Sequence, residues 1–374
     1  MTCDGPPYGP GAARLRNAPP AARGLPGQGV TGTVEMPRTR QQGTGRRDLR
    51  NRRQPGPPRR DNARVSLTSE LANPASPISR FLAKELPDVD KLADRYGQWA
   101  AQQRKTVRPR TRGPIAWPTL GHTIDHRIRV TLGHPYGPPI RIGVAHFAGP
   151  WHPVGKSAAY GALHQAGLDL MNELDSRTSP PPPFVLDGPD DTTYIRLCFV
   201  ASLFEAVYRS GVIDDDSLLA AADGTTTLQT LLDQVPAYAV EDITAQLKLA
   251  EQQDALGWML DAKGVCGPVF AGSDAVGGAD ADFIYGGELV DCKATVKPGK
   301  LGAREIYQLV GYLLLDFTDQ YGIGAVSLYL SRQGAMITWG TTELLATLGA
   351  TKTLPELRQG LARALAPAGR TRRR

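Results

Sequence analysis

The sequence predicts an α/β core preceded by a mainly helical N-terminal extension, and three observations predict it. Short β-rich runs cluster late in the chain, at Val269–Ala271, Asp280–Tyr285, Glu288–Ala294, Ala325–Leu330 and Ala335–Trp339. A helical stretch from about Ala303 to Asp316 interrupts them, and helix, three strands, helix, two strands is an α/β or α+β layout. Upstream, apolar residues recur at helical rather than alternating spacing. With 374 residues, 41% of them apolar, the chain can bury a sizeable core.

Residues 1–60 hold 10 Pro and 10 Gly and few large apolar side chains, too little apolar surface to offset the entropy of ordering, so 1–62 is expected to be a disordered basic tail. The same sixty residues contain 12 Arg and 3 acids, and the last five residues add four Arg. The 309 residues between carry 27 basic and 34 acidic groups. The formal +6 therefore resides in the tails and does not by itself make the chain a nucleic-acid binder. The arm reads as a solubilising tail or the product of an upstream start codon, with Met36 an alternative start; phosphate attraction is the other reading.

The extension, 63–180, opens with two helices. Ile78, Phe81, Leu82 and Leu86 form one stripe, Val89, Leu92, Tyr96 and Trp99 another, with Pro87 between them and Asp88 available as an N-cap. A basic run follows at Arg104, Lys105, Arg108, Arg110 and Arg112, a candidate phosphate contact or a solvated surface. All six histidines fall between His122 and His164, and His122 and His126 have the i, i+4 spacing of helical metal ligands. No suitably placed Glu and no nearby Cys accompany them, so the sequence does not support a zinc site. Residues 156–175 read as a helix with Leu163, Leu170, Met171 and Leu174 inward, and Pro180–Pro183 form a stiff linker taken as an internal boundary.

The core is expected over 184–345, with 346–374 a final helix (354–365) and an Arg-rich tail. Asp190 or Asp191 can cap a helix that ends at Gly211, and Val240, Ile243, Leu247 and Ala250 stripe a second helix over 240–256. The chemistry lies in the next stretch. Gly286-Gly287 is a favoured two-residue hairpin turn, which sets Tyr285 opposite Glu288, Phe283 opposite Val290, Asp282 opposite Asp291 and Asp280 opposite Lys293. Opposed residues share a face, so these three acids and the lysine project together. Opposed carboxylates repel, and a divalent cation removes the objection: Mg²⁺ is commonly held by one or two carboxylates plus waters and recruits phosphate. Lys293 can polarise an attacking water or offset phosphate charge, and the set suits phosphodiester hydrolysis. A second hairpin turns near Gln333 and Gly334, where Arg332 reads as a loop arginine without a specific role.

These residues resemble the PD-(D/E)XK nuclease superfamily. Asp282 matches its first acid, Asp291-Cys292-Lys293 its (D/E)-x-K element, and Gln308-Leu-Val-Gly-Tyr312 the Gln-x-x-x-Tyr signature of the RecB-like branch. The resemblance covers roughly Thr192 to Gly340 and implies a restriction-endonuclease-like core, a mixed central sheet flanked by helices, with Gln308 and Tyr312 on a helix bordering the site and the nucleic acid. It also implies an acid from an upstream helix. Glu205 is the choice, because a Glu among core positions needs a partner; Arg209 at i+4 is the structural one, and Glu251 is the fallback. Ala281 stands where a proline often precedes the first acid, Asp280 duplicates that acid, and Asp291 replaces the commoner Glu.

The expectation is a Mg²⁺- or Mn²⁺-dependent deoxyribonuclease, with Asp282, Asp291 and Glu205 toward the metal, Lys293 toward the nucleophile, and Gln308 and Tyr312 orienting substrate. The rival is a catalytically inactive nuclease-fold module that binds nucleic acid or protein within a repair or defence assembly. Four scattered cysteines and no membrane-length apolar run point to a reducing, cytoplasmic setting.

Overall fold

The computed structural model describes residues 66–149, 153, 155–186 and 188–366. The expected tail, 1–62, and the last Arg-rich residues lie outside the described residues. Three helices come first: α1 (Leu67–Ala72), α2 (Pro77–Glu85) and α3 (Val89–Ala100). The Ser76 side chain accepts from Ser79 N–H and Pro77 fills the first turn of α2, where its missing N–H costs nothing. Asp88 precedes α3 but makes no side-chain cap, pairing instead with Lys91. An extended segment then leads to α4 (Trp117–Thr131), α5 (Pro138–Ala145), α6 (Ser157–Arg177), α7 (Pro189–Ser210), α8 (Leu228–Asp233), α9 (Ala237–Gln252) and α10 (Trp258–Asp261).

The sheet follows, with β1 (Gly264–Cys266), β2 (Phe283–Tyr285) and β3 (Glu288–Lys293), then α11 (Ala303–Leu315), β4 (Ala325–Leu330) and β5 (Ala335–Gly340). Helices α12 (Thr341–Thr347) and α13 (Leu354–Leu365) close the described chain. The five strands lie in the order β1-β2-β3-β4-β5, antiparallel except for β3 and β4. A parallel pair needs a crossover, and α11 supplies it. Gly286 and Gly287 have φ of 55° and 77°, the positive values that the type I′ form of a two-residue hairpin turn demands at both positions.

Helices cover both faces of the sheet. Phe283, Val290 and Tyr329 join one apolar cluster with Ile124, Ile128, Phe204 and Ile243 of α4, α7 and α9. Ile284, Leu289, Val326 and Leu328, pointing the other way, join Leu82, Leu92, Ile306 and Leu313 of α2, α3 and α11. Each strand thus feeds alternate side chains to two cores, which makes the fold a mixed α/β layer structure. No helix among the described residues is long and apolar enough to cross a membrane.

Several expectations change. The run at 269–271 is not a strand: Val269 makes only an isolated bridge to Asp280. The proline run is no boundary, because α6 before it and α7 after it share one apolar cluster, and the described chain falls within a single unit, 58–374. The extension packs into the core as α1–α3 on one face and α4–α6 on the other. Arg332 is fully buried, its guanidinium forked on Asp242 of α9 at 2.7 and 2.9 Å, with Nε donating to the Ala294 carbonyl. It is a buried tie between α9, the end of β3 and the segment before α4, not an idle loop arginine.

Candidate active site

The β2–β3 ladder runs as expected from Tyr285↔Glu288 to Phe283↔Val290, and there it stops. Asp282 bends out of the strand, its carbonyl accepting from Gly267 N–H at 2.9 Å and its side-chain Oδ2 from Cys292 N–H at 2.8 Å. The expected pairing of Asp280 with Lys293 does not form, because Asp280 bridges Val269 instead. The side chains converge nonetheless: Asp280, Asp282, Asp291 and Lys293 all line one cleft of about 530 Å³, together with Glu205, Gln308 and Tyr312.

Asp291 is 2% exposed, and its Oδ2 lies 2.6 Å from Lys293 Nζ. Burial pushes its carboxyl up to about 6, with Lys293 opposing the rise and Asp282 adding to it. Burial alone would lower the Lys293 ammonium, but the charges of Asp291 and Asp282 outweigh it and hold the amine protonated. On α11, Gln308 Nε2 donates to the Tyr312 hydroxyl at 2.8 Å, and Tyr312 is buried. Burial, then the nearby Asp291 and Asp282, raise that hydroxyl, so it keeps its proton. Arg304, one turn earlier, is exposed.

Glu205 of α7 is 5% exposed and engaged on both oxygens. Oε2 lies 2.8 Å from His126 Nε2, and Oε1 accepts from Arg209 through Nε at 2.7 Å and through Nη2, with His122 Nδ1 at 3.8 Å. Burial would raise its carboxyl; the hydrogen bond and charge of His126, with His122 and Arg209, outweigh it and hold Glu205 ionised far below the usual range. It is not an inert surface pair: it is buried, and both its oxygens face basic side chains, Arg209, His126 and His122. Glu251, the fallback, is exposed at the end of α9 and does not line the cleft.

Sequence reasoning missed one wall. Helix α4 presents His122, Asp125, His126 and Arg129 to the cleft, spaced i, i+3, i+4 and i+7, while Leu120, Ile124 and Ile128 face the core. That polar stripe was the available signal. Burial raises the Asp125 carboxyl well above its usual value, with Asp282 adding to the rise. His122 is lowered by burial first, with Glu205 opposing. Arg129 Nη2 stands 4.0 Å from Asp282 Oδ1.

Among the described residues no group of three or more His, Cys, Asp or Glu side chains is arranged to hold a metal ion, and His126 is taken by Glu205. Two carboxylates are a different case. Asp291 Oδ2 is withdrawn from solvent and faces the Lys293 ammonium at 2.6 Å, and Asp282 Oδ1 has the more distant Arg129 at 4.0 Å. Two carboxylates on one cleft are the hard oxygen donors that suit a Mg²⁺ completing its shell with water and phosphate. Comparison of the chain with protein-family models, with curated proteins and with solved structures gave no match.

Proposed function

We propose that this chain is a metal-dependent nuclease that hydrolyses DNA phosphodiester bonds with a PD-(D/E)XK-type site on a restriction-endonuclease-like core. The observation that carries the reading is the convergence of Asp282, Asp291, Lys293, Gln308 and Tyr312 on one cleft. Support also comes from chain order: one acid at the lip of β2, the acid and lysine on β3, and Gln308 with Tyr312 on the crossover helix α11.

Asp282 and Asp291 would hold Mg²⁺ or Mn²⁺, which when bound supplies charge stabilisation at the phosphate and eases deprotonation of water. Lys293, held protonated beside Asp291, acts as a fixed positive charge that orients water and phosphate, not as a base. Tyr312 keeps its proton and can donate it in a hydrogen bond while accepting one from Gln308. Glu205 positions His126 and Arg209 on the opposite wall. The three described cysteines are free thiols, which supports a reducing, cytoplasmic setting.

The test is cleavage of linear, circular and single-stranded DNA by the purified chain with Mg²⁺ or EDTA, beside Asp291→Ala and Lys293→Ala. Cleavage that needs Mg²⁺ and is lost in both folded variants is the expected result. DNA binding without hydrolysis by the unaltered chain would leave the non-catalytic module, working inside a repair or defence assembly, as the better reading.

A further inference from the structure

The segment joining α3 to α4 carries Arg104, Lys105, Arg108, Arg110 and Arg112, all exposed, and none of the five pairs with a carboxylate among the described residues. Five like charges in nine residues repel one another, so an unsupported segment would swing freely in solvent. This one is pinned. Val107 N–H donates to the Arg332 carbonyl at 2.8 Å, Arg332 Nη1 donates to the Val107 carbonyl at 3.3 Å, and Gln333 Nε2 donates to Thr106 Oγ1 at 3.2 Å. Arg332 is itself locked by its fork on Asp242, and both side chains are fully buried. Thr106 and Val107 turn inward while the cations on either side turn out.

The pinned segment and α9 form the walls of a groove of about 1000 Å³. Lys105, Arg108, Arg110 and Lys248 line it against one unpaired acid, Glu241, since Asp242 is neutralised by Arg332. The groove adjoins the cleft through the chain that leaves β3. Ala294, a cleft residue, accepts from Arg332 Nε, Thr295 from Gln333 Nε2, and Val296 from Arg108 Nη2 at 3.5 Å. Beyond them Lys297, Lys300 and Arg304 are exposed on the same connection.

We propose that the segment from Arg104 to Arg112, with Lys248, is a phosphate-backbone track that holds nucleic acid beside the cleft without reading its sequence. The substrate class rests on the nuclease reading; the track rests on the pinned cations. Flexible, exposed Lys and Arg side chains on a fixed backbone suit phosphates at varied positions, and no aromatic or amide side chain lines the groove to read base edges beyond Gln252. Counterion release then makes binding steeply salt-dependent.

The test compares the full chain with a variant carrying Arg104→Gln, Lys105→Gln, Arg108→Gln, Arg110→Gln and Arg112→Gln. Binding of a short fluorescent DNA duplex is measured in EDTA over a range of salt, so that cleavage plays no part. The Arg-rich tail is present in both proteins and cancels. The variant is expected to bind at least about tenfold more weakly at low salt, with a log–log salt slope shallower by about 0.9 for each phosphate contact removed. Its melting temperature and its Mg²⁺-dependent hydrolysis of bis(p-nitrophenyl) phosphate, too small to reach the groove, should be unchanged. Equal affinity and slope in the two proteins would overturn the track and leave the segment as a surface for an acidic protein. A salt-dependent loss in the variant, with no hydrolysis of any diester by the unaltered chain, would sustain the track and sink the nuclease reading instead.

Discussion

The backbone N–H of Cys292 donates to Oδ2 of Asp282 at 2.8 Å, so the first acid of the site stands where a strand partner would otherwise stand. One carboxylate oxygen completes the sheet and the other faces the cleft. Asp282→Asn keeps an acceptor for that N–H and removes the charge; Asp282→Ala leaves a partly buried donor unsatisfied. Urea unfolding should show Asp282→Ala destabilised by about 1–3 kcal/mol and Asp282→Asn by less, while both lose Mg²⁺-dependent cleavage. Comparable stability in the two variants would remove the structural half of this assignment.

Asp291 links the site to pH. Its folded value, pushed up to about 6 by burial, lies above the ordinary 3.8 of an unfolded chain. The folded protein therefore binds the proton more tightly, and this contribution to stability is fully present below about pH 4 and lost as pH rises through about 6. In metal-free protein, Asp291→Asn should remove that pH-dependent component, on the order of 3 kcal/mol, and be more stable than the parent near pH 7. Chemical denaturation at a series of pH values measures it; parallel pH profiles would refute the buried-acid account.

How much of this was legible in sequence depends on range. The Gly286-Gly287 turn fixed three pairs of the β2–β3 register, because turn type and strand alternation are local. The continuation to Asp280 failed because Gly267 and Val269, over ten residues away, compete for that backbone. Helix α13 and the end of α7 at Gly211 were readable from caps and stripes. β1, a three-residue strand, has no pattern long enough to show. Asp291, Lys293, Gln308 and Tyr312 were named correctly as neighbours, whereas Asp125, His126 and Arg129 were not, since nothing local says that α4 packs across from β3. Arg332 was misread for the same reason: its partner Asp242 is ninety residues away.

Glu205 offers a charge test independent of metal. Glu205→Gln preserves shape but takes the carboxylate away from Arg209 and His126, leaving Arg209 only the more distant Asp280 at 3.6 Å. Breaking a buried ion network by removing one partner costs about 3–5 kcal/mol. Adding Arg209→Gln should restore part of it, giving a coupling of about 1 kcal/mol or more in a double-mutant cycle read by thermal or urea unfolding. Simple additivity would mean that Arg209, about two-fifths exposed, contributes little to holding Glu205.

The Arg332–Asp242 pair ties stability to the basic segment. With both side chains fully buried, Arg332→Met strands the Asp242 carboxylate and withdraws the donors on the Ala294 and Val107 carbonyls. A loss of about 3–5 kcal/mol is expected in urea, and Arg332→Met with Asp242→Leu should recover much of it, because apolar replacement of a whole buried pair is often neutral. The double variant still lacks the Arg332 side chain's tie to Val107, so residues 101–116 should be cleaved faster by trypsin than in the parent although global stability is near normal. It should also bind DNA more weakly at low salt, with all five segment cations in place. Unchanged trypsin sensitivity there would mean that the Val107 and Thr106 backbone and side-chain bonds alone hold the segment.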